Sequence, residues 1–222
     1  MTHPSYIKKV EGRNKIVDSR EDMSDFLFHF TKGPNSYETL CKILSDGKLI
    51  DIKNTGFICF TEAPLSMLQP MFEYFMRQYP DNPKFAPYGI GISKKKFFEL
   101  GGRPVIYGTK EEMDLLDPSI RWRFEEMNLP IPDFSWLREW RINKPNIKFS
   151  PKGILVITNT EDEQMTLCHK LIDNTPEDYL ENDGAFIDIE REYLGISMER
   201  LKDFNSKHDL LDLLMSQLDE MI

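Results

Sequence analysis

Three short segments of the sequence carry side chains that could act together on a sugar or an amide group. His29 and Thr31 lie two residues apart in an otherwise aromatic run, so they share one face of a strand and could hydrogen-bond a ribose or an amide. Thr61 lies at the end of a second apolar run. Glu139 lies among arginines and tryptophans, where a carboxylate could polarise a sugar hydroxyl and stabilise a cationic transition state.

Each segment also has a purely structural interpretation. His29 could be a core histidine that is bonded to the backbone. Thr61 and the following Glu62 could cap the next helix. Glu139 could form an ion pair with a neighbouring arginine, because a buried carboxylate is costly unless it is paired. The residue types alone leave both interpretations open.

The hydrophobic pattern predicts the elements that would position these groups. Strands are predicted at 25–31, 57–61, 88–92, 104–107, 136–142 and 153–158. Helices are predicted at 36–45, 66–79, 94–100 and 162–172, with a last helix from about 198 that breaks near 205. Residues 110–128 are predicted to be mainly helical around a break at Pro118. Residues 175–192 are expected to form a loop or hairpin. Alternation in the fifth strand would place Arg138 with Trp136 and Trp140, and Glu139 with Arg141 on the other face.

Short strands that alternate with short helices indicate an α+β fold. Residues 1–22 are expected to form an N-terminal arm. Residues 23–222 then form one domain, with its core at 26–157 and a C-terminal helical extension at about 198–222. The leucines of this extension recur at three- and four-residue steps, so it either docks on the body or presents a surface to a partner.

Composition limits the function classes. Of the 222 residues 40% are hydrophobic, which excludes global disorder, and a net charge of −9 makes the chain a poor general binder of phosphate backbones. No apolar run approaches the roughly 20 residues that cross a bilayer, and the N-terminus lacks a secretory signal pattern. The three cysteines are therefore predicted to be buried free thiols in the cytoplasm. The four histidines lack ligand spacing, so no metal site is expected.

In sequence order, these segments are similar to known bacterial proteins. The blocks are F-I-C-F-T-E-A-P-L-S-M-L, Y-G-I-G-I-S-K-K-K-F-F-E-L-G-G-R-P-V-I-Y and W-L-R-E-W-R-I. The middle block resembles the AbiGi-type family of abortive-infection proteins. The whole order, over about residues 26–157, resembles compact ADP-ribosyltransferases of the DarT kind, which belong to toxin–antitoxin and phage-defence systems.

The resemblance implies a small split antiparallel sheet, flanked by short helices, that holds NAD. It implies that His29 and Thr31 on the first strand and Thr61 on the second contact NAD, and that Glu139 is catalytic. One aromatic would stack on the nicotinamide, with Tyr88, Tyr107 and Phe60 as the candidates. The remaining predicted NAD-binding residues are Phe30 and, for the pyrophosphate, Arg103, Arg138 and Arg141.

The expected function is that of a cytoplasmic NAD-dependent ADP-ribosyltransferase in a toxin–antitoxin or phage-defence system, with no metal and no membrane. Its acceptor stays open between protein, DNA, RNA and a small molecule, and a cognate toxin or antitoxin would be its partner. The alternative is a non-catalytic AbiGi-like abortive-infection protein or antitoxin that acts by protein–protein interaction. The first hypothesis requires His29, Thr61 and Glu139 to converge on one cleft of dinucleotide size.

Overall fold

The chain builds a large sheet with short helices on both of its faces. The computed structural model describes residues 15, 19–127, 129, 133–173 and 187–221. Within them the strands are β1 (Phe26–Phe30), β2 (Lys48–Ile50), β3 (Ile58–Thr61), β4 (Gly89–Ser93), β5 (Arg103–Pro104), β6 (Ile106–Gly108), β7 (Phe124–Glu126), β8 (Glu139–Ile142), β9 (Asn146–Lys148), β10 (Leu155–Thr158), β11 (His169–Asp173), β12 (Ile187–Arg191) and β13 (Leu194–Ser197). The helices are α1 (Ser36–Asp46), α2 (Leu65–Gln78), α3 (Lys94–Glu99), α4 (Lys110–Leu115), α5 (Glu161–Cys168), α6 (Met198–Leu201) and α7 (Lys207–Asp219).

The main sheet has seven strands in the order β13, β10, β4, β1, β3, β8, β5. Its neighbouring strands are antiparallel except β10 and β13, which run parallel. The pairs β2–β9 and β11–β12 are antiparallel, and the pair β6–β7 is parallel. The α+β prediction is therefore confirmed. The expected small split antiparallel sheet is corrected, because the main sheet has seven strands and is mixed, with β13 added in parallel to β10.

Alternation along β1 divides the core into two layers. Leu27 points to one face of the sheet and Phe28 to the other, since successive side chains of a strand alternate. The Leu27 face packs against α1, α3 and the β2–β9 pair. The Phe28 face packs against α2, α6 and α7. Burying a leucine- or phenylalanine-sized side chain contributes about 1.5–3 kcal/mol, so apolar burial holds helices on both faces.

Two glycines lie at positions where the backbone requires a residue without a Cβ. Gly47 ends α1 in the left-handed region, with φ of 59°, and its N–H bonds back to the last turn of the helix. Gly89 lies where β4 passes very close to β1. A Cβ built on Gly89 would lie 2.3 Å from the carbonyl oxygen of His29, so the pairing of β4 with β1 requires glycine there.

Two predicted helices are shorter than expected. In the segment 110–128 the helix ends at Leu115, and Pro118 interrupts it as expected, but the residues after Pro118 form a 3₁₀ turn at Pro118–Arg123 and then β7 in place of more helix.

The helix predicted at 162–172 ends at Cys168. The residues after it form β11, whose backbone pairs with β12, and this tertiary pairing overrides the local preference for helix. Of the predicted loop or hairpin at 175–192, residues 175–186 lie outside the described residues, and Ile187–Arg191 form β12.

The predicted fifth strand starts three residues late. Ser135–Leu137 form a 3₁₀ turn, and Arg138 ends it in the left-handed region with φ of 43°. The alternation expected for Trp136 and Arg138 is therefore wrong, because only Glu139–Ile142 of the predicted strand is extended and paired. Glu139 and Arg141 do share one face, as expected.

The C-terminal helix α7 docks on the body. Leu214 is buried in the core layer of α2, and the buried Gln217 side chain bonds to both backbone groups of Gly195 in β13. No helix among the described residues is both long and apolar enough to cross a membrane. Of the predicted arm, residues 1–14 and 16–18 lie outside the described residues.

We expect Gly89→Ala to destabilise the fold by about 1–3 kcal/mol, because the added methyl group would overlap the His29 carbonyl. Urea unfolding followed by circular dichroism measures this loss. Gly153→Ala is the matched control, since its methyl group would meet only the Ser150 hydroxyl, at 3.1 Å, and that side chain can rotate. An equal loss in both variants would contradict the close β1–β4 approach.

Candidate functional site

The three strands that carry His29, Thr61 and Glu139 are immediate neighbours, in the order β1, β3, β8. The pairing between them is uneven. β3 and β8 share four registered pairs and β1 and β4 share five, whereas β1 and β3, which are fully described, share the single pair Phe28 with Thr61. The next pairs in this register would join His29 to Phe60 and Phe30 to Cys59, and neither is formed. Backbone pairing between β1 and β3 therefore ends on the Cys59 side of Thr61, and we call this unpaired stretch the opening.

His29 lies at this opening. Its Nδ1 is 2.8 Å from the carbonyl oxygen of Cys59, and its ring packs against Phe60 at 5.5 Å between centroids. A carbonyl oxygen only accepts, so Nδ1 carries the proton and donates it, which leaves Nε2 as an acceptor in the neutral ring. Burial of the imidazole lowers the pKa of His29, and nearby Lys32 lowers it further against the opposing effect of the Cys59 carbonyl. At neutral pH the ring is therefore held in one neutral tautomer.

Thr61 and Glu139 face each other across β3 and β8. They form a registered pair, as do Cys59 and Arg141, so these four side chains share one face of the sheet. The Thr61 hydroxyl donates to the Leu137 carbonyl at 2.5 Å and accepts from the Ala63 N–H at 3.1 Å. Both roles of the hydroxyl are thus used to hold the turn that precedes Glu139.

The Glu139 carboxylate is paired with an arginine. Its Oε1 accepts from Nε of Arg141 at 2.7 Å, and 13% of the Glu139 side chain is exposed. Arg141 is itself buried, and it also donates to the carbonyls of Trp122 and Phe124 and to the Glu125 carboxylate. Glu139 is therefore held in a fixed position, with a small part of its side chain open to solvent.

The other predicted NAD-binding residues lie in several places. Tyr107 is next to Glu139, because its hydroxyl accepts from the Glu139 N–H at 3.2 Å. Arg138 pairs with Asp22, with 3.0 Å between Nη2 and the carboxylate. Arg103 donates to the carbonyls of Phe98 and Gly102. These arginines, like Arg141, already have protein partners.

The remaining three are part of the protein framework. The Thr31 hydroxyl is buried and donates to the carbonyls of Ser36 and Tyr88. Tyr88 is buried and donates its hydroxyl to Glu163 at 2.8 Å; burial and this contact raise the pKa of Tyr88. The Phe30 ring packs edge-on against Phe72 at 4.8 Å. Among the candidates for a nicotinamide-stacking ring, Tyr107 is the one beside Glu139.

The expected convergence is met in part. Thr61, Glu139, Arg141 and Tyr107 come together on one face. His29, which was expected to line one cleft with Thr61 and Glu139, lies on the opposite face, because side chains alternate along the strand and its ring packs with Phe60. Its ring nevertheless bonds to the carbonyl of Cys59, whose side chain lies on the Glu139 face, so His29 borders the same opening from the other side.

The sequence did not identify three residues, Cys59, Lys32 and Lys53, as candidates for this site. Cys59 was expected to be buried but is exposed, Cys41 is half-buried, and Cys168 alone of the three is buried. The Cys59 thiol is within hydrogen-bonding reach of the Glu139 carboxylate. The surrounding protein atoms partly desolvate the thiol, and this desolvation, followed by the negative charge of Glu139, raises the pKa of Cys59 to about 12. Lys32, shortly after β1, and Lys53, in the loop between β2 and β3, are exposed. Lysines in loops gave no signal, because their spacing in the sequence does not show where the fold places them.

No group of three or more histidine, cysteine, aspartate or glutamate side chains in the described part of the chain is arranged to hold a metal ion. In comparisons with known proteins, no family model, no curated protein and no solved structure matches the chain. The AbiGi and ADP-ribosyltransferase resemblances therefore stay predictions.

We expect Cys59 to react slowly with iodoacetamide, because at a pKa of about 12 only about one thiol in ten thousand is ionised at pH 8. Glu139→Gln removes the nearby negative charge, so the pKa of Cys59 falls and its alkylation accelerates several-fold. Peptide mass spectrometry measures the rate, and Cys41 provides the internal control, with no change expected. An unchanged rate at Cys59 would show that its thiol does not contact Glu139.

Proposed function

We propose that this chain is an NAD-dependent ADP-ribosyltransferase of a bacterial toxin–antitoxin or phage-defence system, with Glu139 as its catalytic residue. The observation that carries the proposal is the opening of the sheet between β1 and β3, with Glu139 on the next strand, β8. A sheet that is paired elsewhere and open at this position offers backbone groups and one carboxylate to a ligand. The resemblance places NAD between these same strands.

Backbone groups at the opening suit the nicotinamide amide. The Thr31 N–H bonds to Tyr88 on the β4 side, whereas Phe28 pairs with Thr61 on the β3 side. Because backbone groups alternate between the two edges of a strand, the N–H and C=O of Phe30 point toward the opening. One donor beside one acceptor matches a carboxamide, which needs both. Nε2 of His29 adds an acceptor for a ribose hydroxyl.

The charge at the site suits cleavage of the bond between nicotinamide and ribose. NAD, as the substrate, supplies a glycosidic bond that breaks with positive charge developing on the ribose. The Glu139 carboxylate would accept a hydrogen bond from a ribose hydroxyl and stabilise this charge. Arg141 holds Glu139 in a fixed orientation, and Cys59, whose raised pKa leaves it neutral at physiological pH, adds no competing charge. The held orientation of the groups lowers the entropic part of the barrier.

We expect Glu139→Gln to abolish NAD turnover, by at least a hundredfold, because the amide cannot stabilise the cationic transition state. The matched control is Glu125→Gln, which removes the other carboxylate partner of Arg141 and keeps Glu139. Release of nicotinamide from labelled NAD measures turnover, and thermal unfolding measures the structural effect. Equal turnover in both variants, or none in the wild type with any acceptor fraction of a lysate, would contradict the proposal.

A second function is favoured by one further observation, an exposed aromatic surface beside the Glu139 turn. Ring contacts run from Tyr79 to Phe75, Phe85 and Trp136, and about half of the Tyr79 and Trp136 surface is exposed, at 49% and 45%. Contiguous exposed apolar surface is typical of protein interfaces. In this alternative the chain is a non-catalytic abortive-infection protein or antitoxin, and Glu139 serves only to pair with Arg141.

For the alternative we expect the chain to bind the product of an adjacent gene through this surface. Trp136→Glu would place a charge there and weaken the complex at least tenfold, whereas Glu139→Gln would leave it unchanged. Isothermal titration with the purified neighbouring protein measures both affinities. Full affinity of Trp136→Glu would count against this surface as the interface.

A further inference from the structure

The turn before Glu139 contains a residue in a strained backbone conformation. Arg138 has φ of 43° and ψ of 54°, which is the left-handed region. A residue with a Cβ adopts this conformation at a cost, because the Cβ then approaches the following carbonyl oxygen. Such strain persists only where the surrounding structure holds it, and it is typical of functional sites. Glu139 follows directly, so the conformation of Arg138 sets the direction in which β8 begins.

Two hydrogen bonds from the end of β3 hold this turn on one side. The Thr61 hydroxyl donates to the Leu137 carbonyl at 2.5 Å, and the Glu62 N–H donates to the Arg138 carbonyl at 3.2 Å. Thr61 is buried, so water competes little for its hydroxyl. Both bonds hold carbonyl groups of the turn, and neither reaches the Arg138 side chain.

The Arg138 side chain is held by Asp22, which lies 116 residues earlier in the sequence. The Nη2 atom of Arg138 is 3.0 Å from the Asp22 carboxylate, and Nη1 donates to the Asp22 backbone carbonyl. Arg20 donates to the same carboxylate through Nε and Nη2, each at 2.5 Å. Hydrogen bonds from Arg20 and then from Arg138 lower the pKa of Asp22, so its carboxylate is ionised at neutral pH. Two contacts to one residue fix the orientation of the planar guanidinium as well as its position.

We propose that Asp22 is a positioning residue for Glu139 and acts through Arg138. The ion pair holds Arg138 in its strained conformation, and it thereby holds the start of β8, where the Glu139 carboxylate lies. The catalytic use of this position rests on the proposed function, whereas the contacts that hold the turn do not. Asp22 precedes the segment 26–157 that carries the ADP-ribosyltransferase resemblance, so the resemblance does not predict this role. The assignment replaces the expected contact of Arg138 with the pyrophosphate of NAD.

Steady-state NAD turnover by the full chain tests the role of Asp22 in two backgrounds. Asp22→Asn should lower kcat by about fivefold or more and leave KM within about twofold, because a misplaced Glu139 affects the transition state more than NAD binding. Glu21→Gln is the matched control and should keep kcat within about twofold, because this neighbouring carboxylate bonds to the Lys207 N–H rather than to the turn. In an Arg138→Gly chain, Asp22→Asn should change kcat less than about twofold, because glycine takes the left-handed region without strain and has no side chain to hold.

Hydrogen exchange of the turn is a second measurement, and it needs no substrate. The N–H groups of Leu137 and Arg138 bond to carbonyl groups at the start of the turn, at 3.1 and 3.0 Å. Asp22→Asn should speed their exchange by about threefold or more, because the turn opens more often once the ion pair is lost. Glu21→Gln should leave their exchange unchanged.

The outcomes separate the positioning role from the transferase. Turnover that requires Glu139 but is equal in Asp22→Asn and the wild type overturns the positioning role and leaves the transferase. An equal loss of kcat from Asp22→Asn with and without Arg138→Gly also overturns it, since Asp22 would then act by another route. Faster exchange of the turn in Asp22→Asn, in a chain whose wild type has no NAD turnover, keeps Asp22 as the residue that positions Glu139 and removes the transferase.

Discussion

The arrangement of the candidate site depends on one buried guanidinium. Arg141 is 5% exposed, and it joins the Glu139 carboxylate, the Glu125 carboxylate and the carbonyls of Trp122 and Phe124. This single side chain ties β8 to the continuous segment 122–125, which contains the end of the 3₁₀ turn and the start of β7. Burying a cation is costly unless every donor has a partner, and here the partners include two carboxylates. The same ion pair that fixes Glu139 therefore also fixes the 3₁₀ turn and the β6–β7 pair around it.

Arg141 both positions Glu139 and holds the elements around it, so the same contact is compatible with a catalytic role and with a structural role of Glu139. A carboxylate that must stabilise a ribose cation needs a fixed position, and the hydrogen bond from Arg141 supplies it to Glu139. A purely structural ion pair needs the same contact and no opening. The opening between β1 and β3 distinguishes the catalytic role from the structural one, because the Glu139–Arg141 ion pair alone does not explain why the pairing of β1 with β3 ends at Phe28 and Thr61.

The sequence predicted those elements whose cause is local. The alternation of β1, the left-handed C-terminus of α1 at Gly47 and the close approach at Gly89 all follow from residue type and spacing. The strand β11 was predicted as helix, because its strand structure comes from pairing with β12, and that partner is distant in the sequence. The 3₁₀ turn before Glu139 was likewise missed, since the Thr61 hydroxyl that holds it comes from another strand.

In the candidate site, too, the residues that depend on local sequence were predicted and those that depend on distant segments were not. Glu139 and its arginine partner could be predicted from their residue types within one strand. The period-two pattern of β1 shows which of its residues share a face with His29, but not which face of the neighbouring strands they meet. The position of His29 on the face opposite Glu139 was therefore not predicted. Lys32, Lys53 and Cys59 lie on two segments that meet only after the sheet forms, so the sequence carries no pattern that joins them.

Both margins of the main sheet are closed to further strands. At β13 the carboxamide of Gln217 takes up the N–H and the C=O of Gly195, as an added strand would. At the opposite margin β5 is two residues long and contains Pro104, which has no N–H to donate. Exposed edges invite chains to polymerise by strand addition. Further strands therefore cannot add at either margin, so the main sheet does not extend from one copy of the chain into the next.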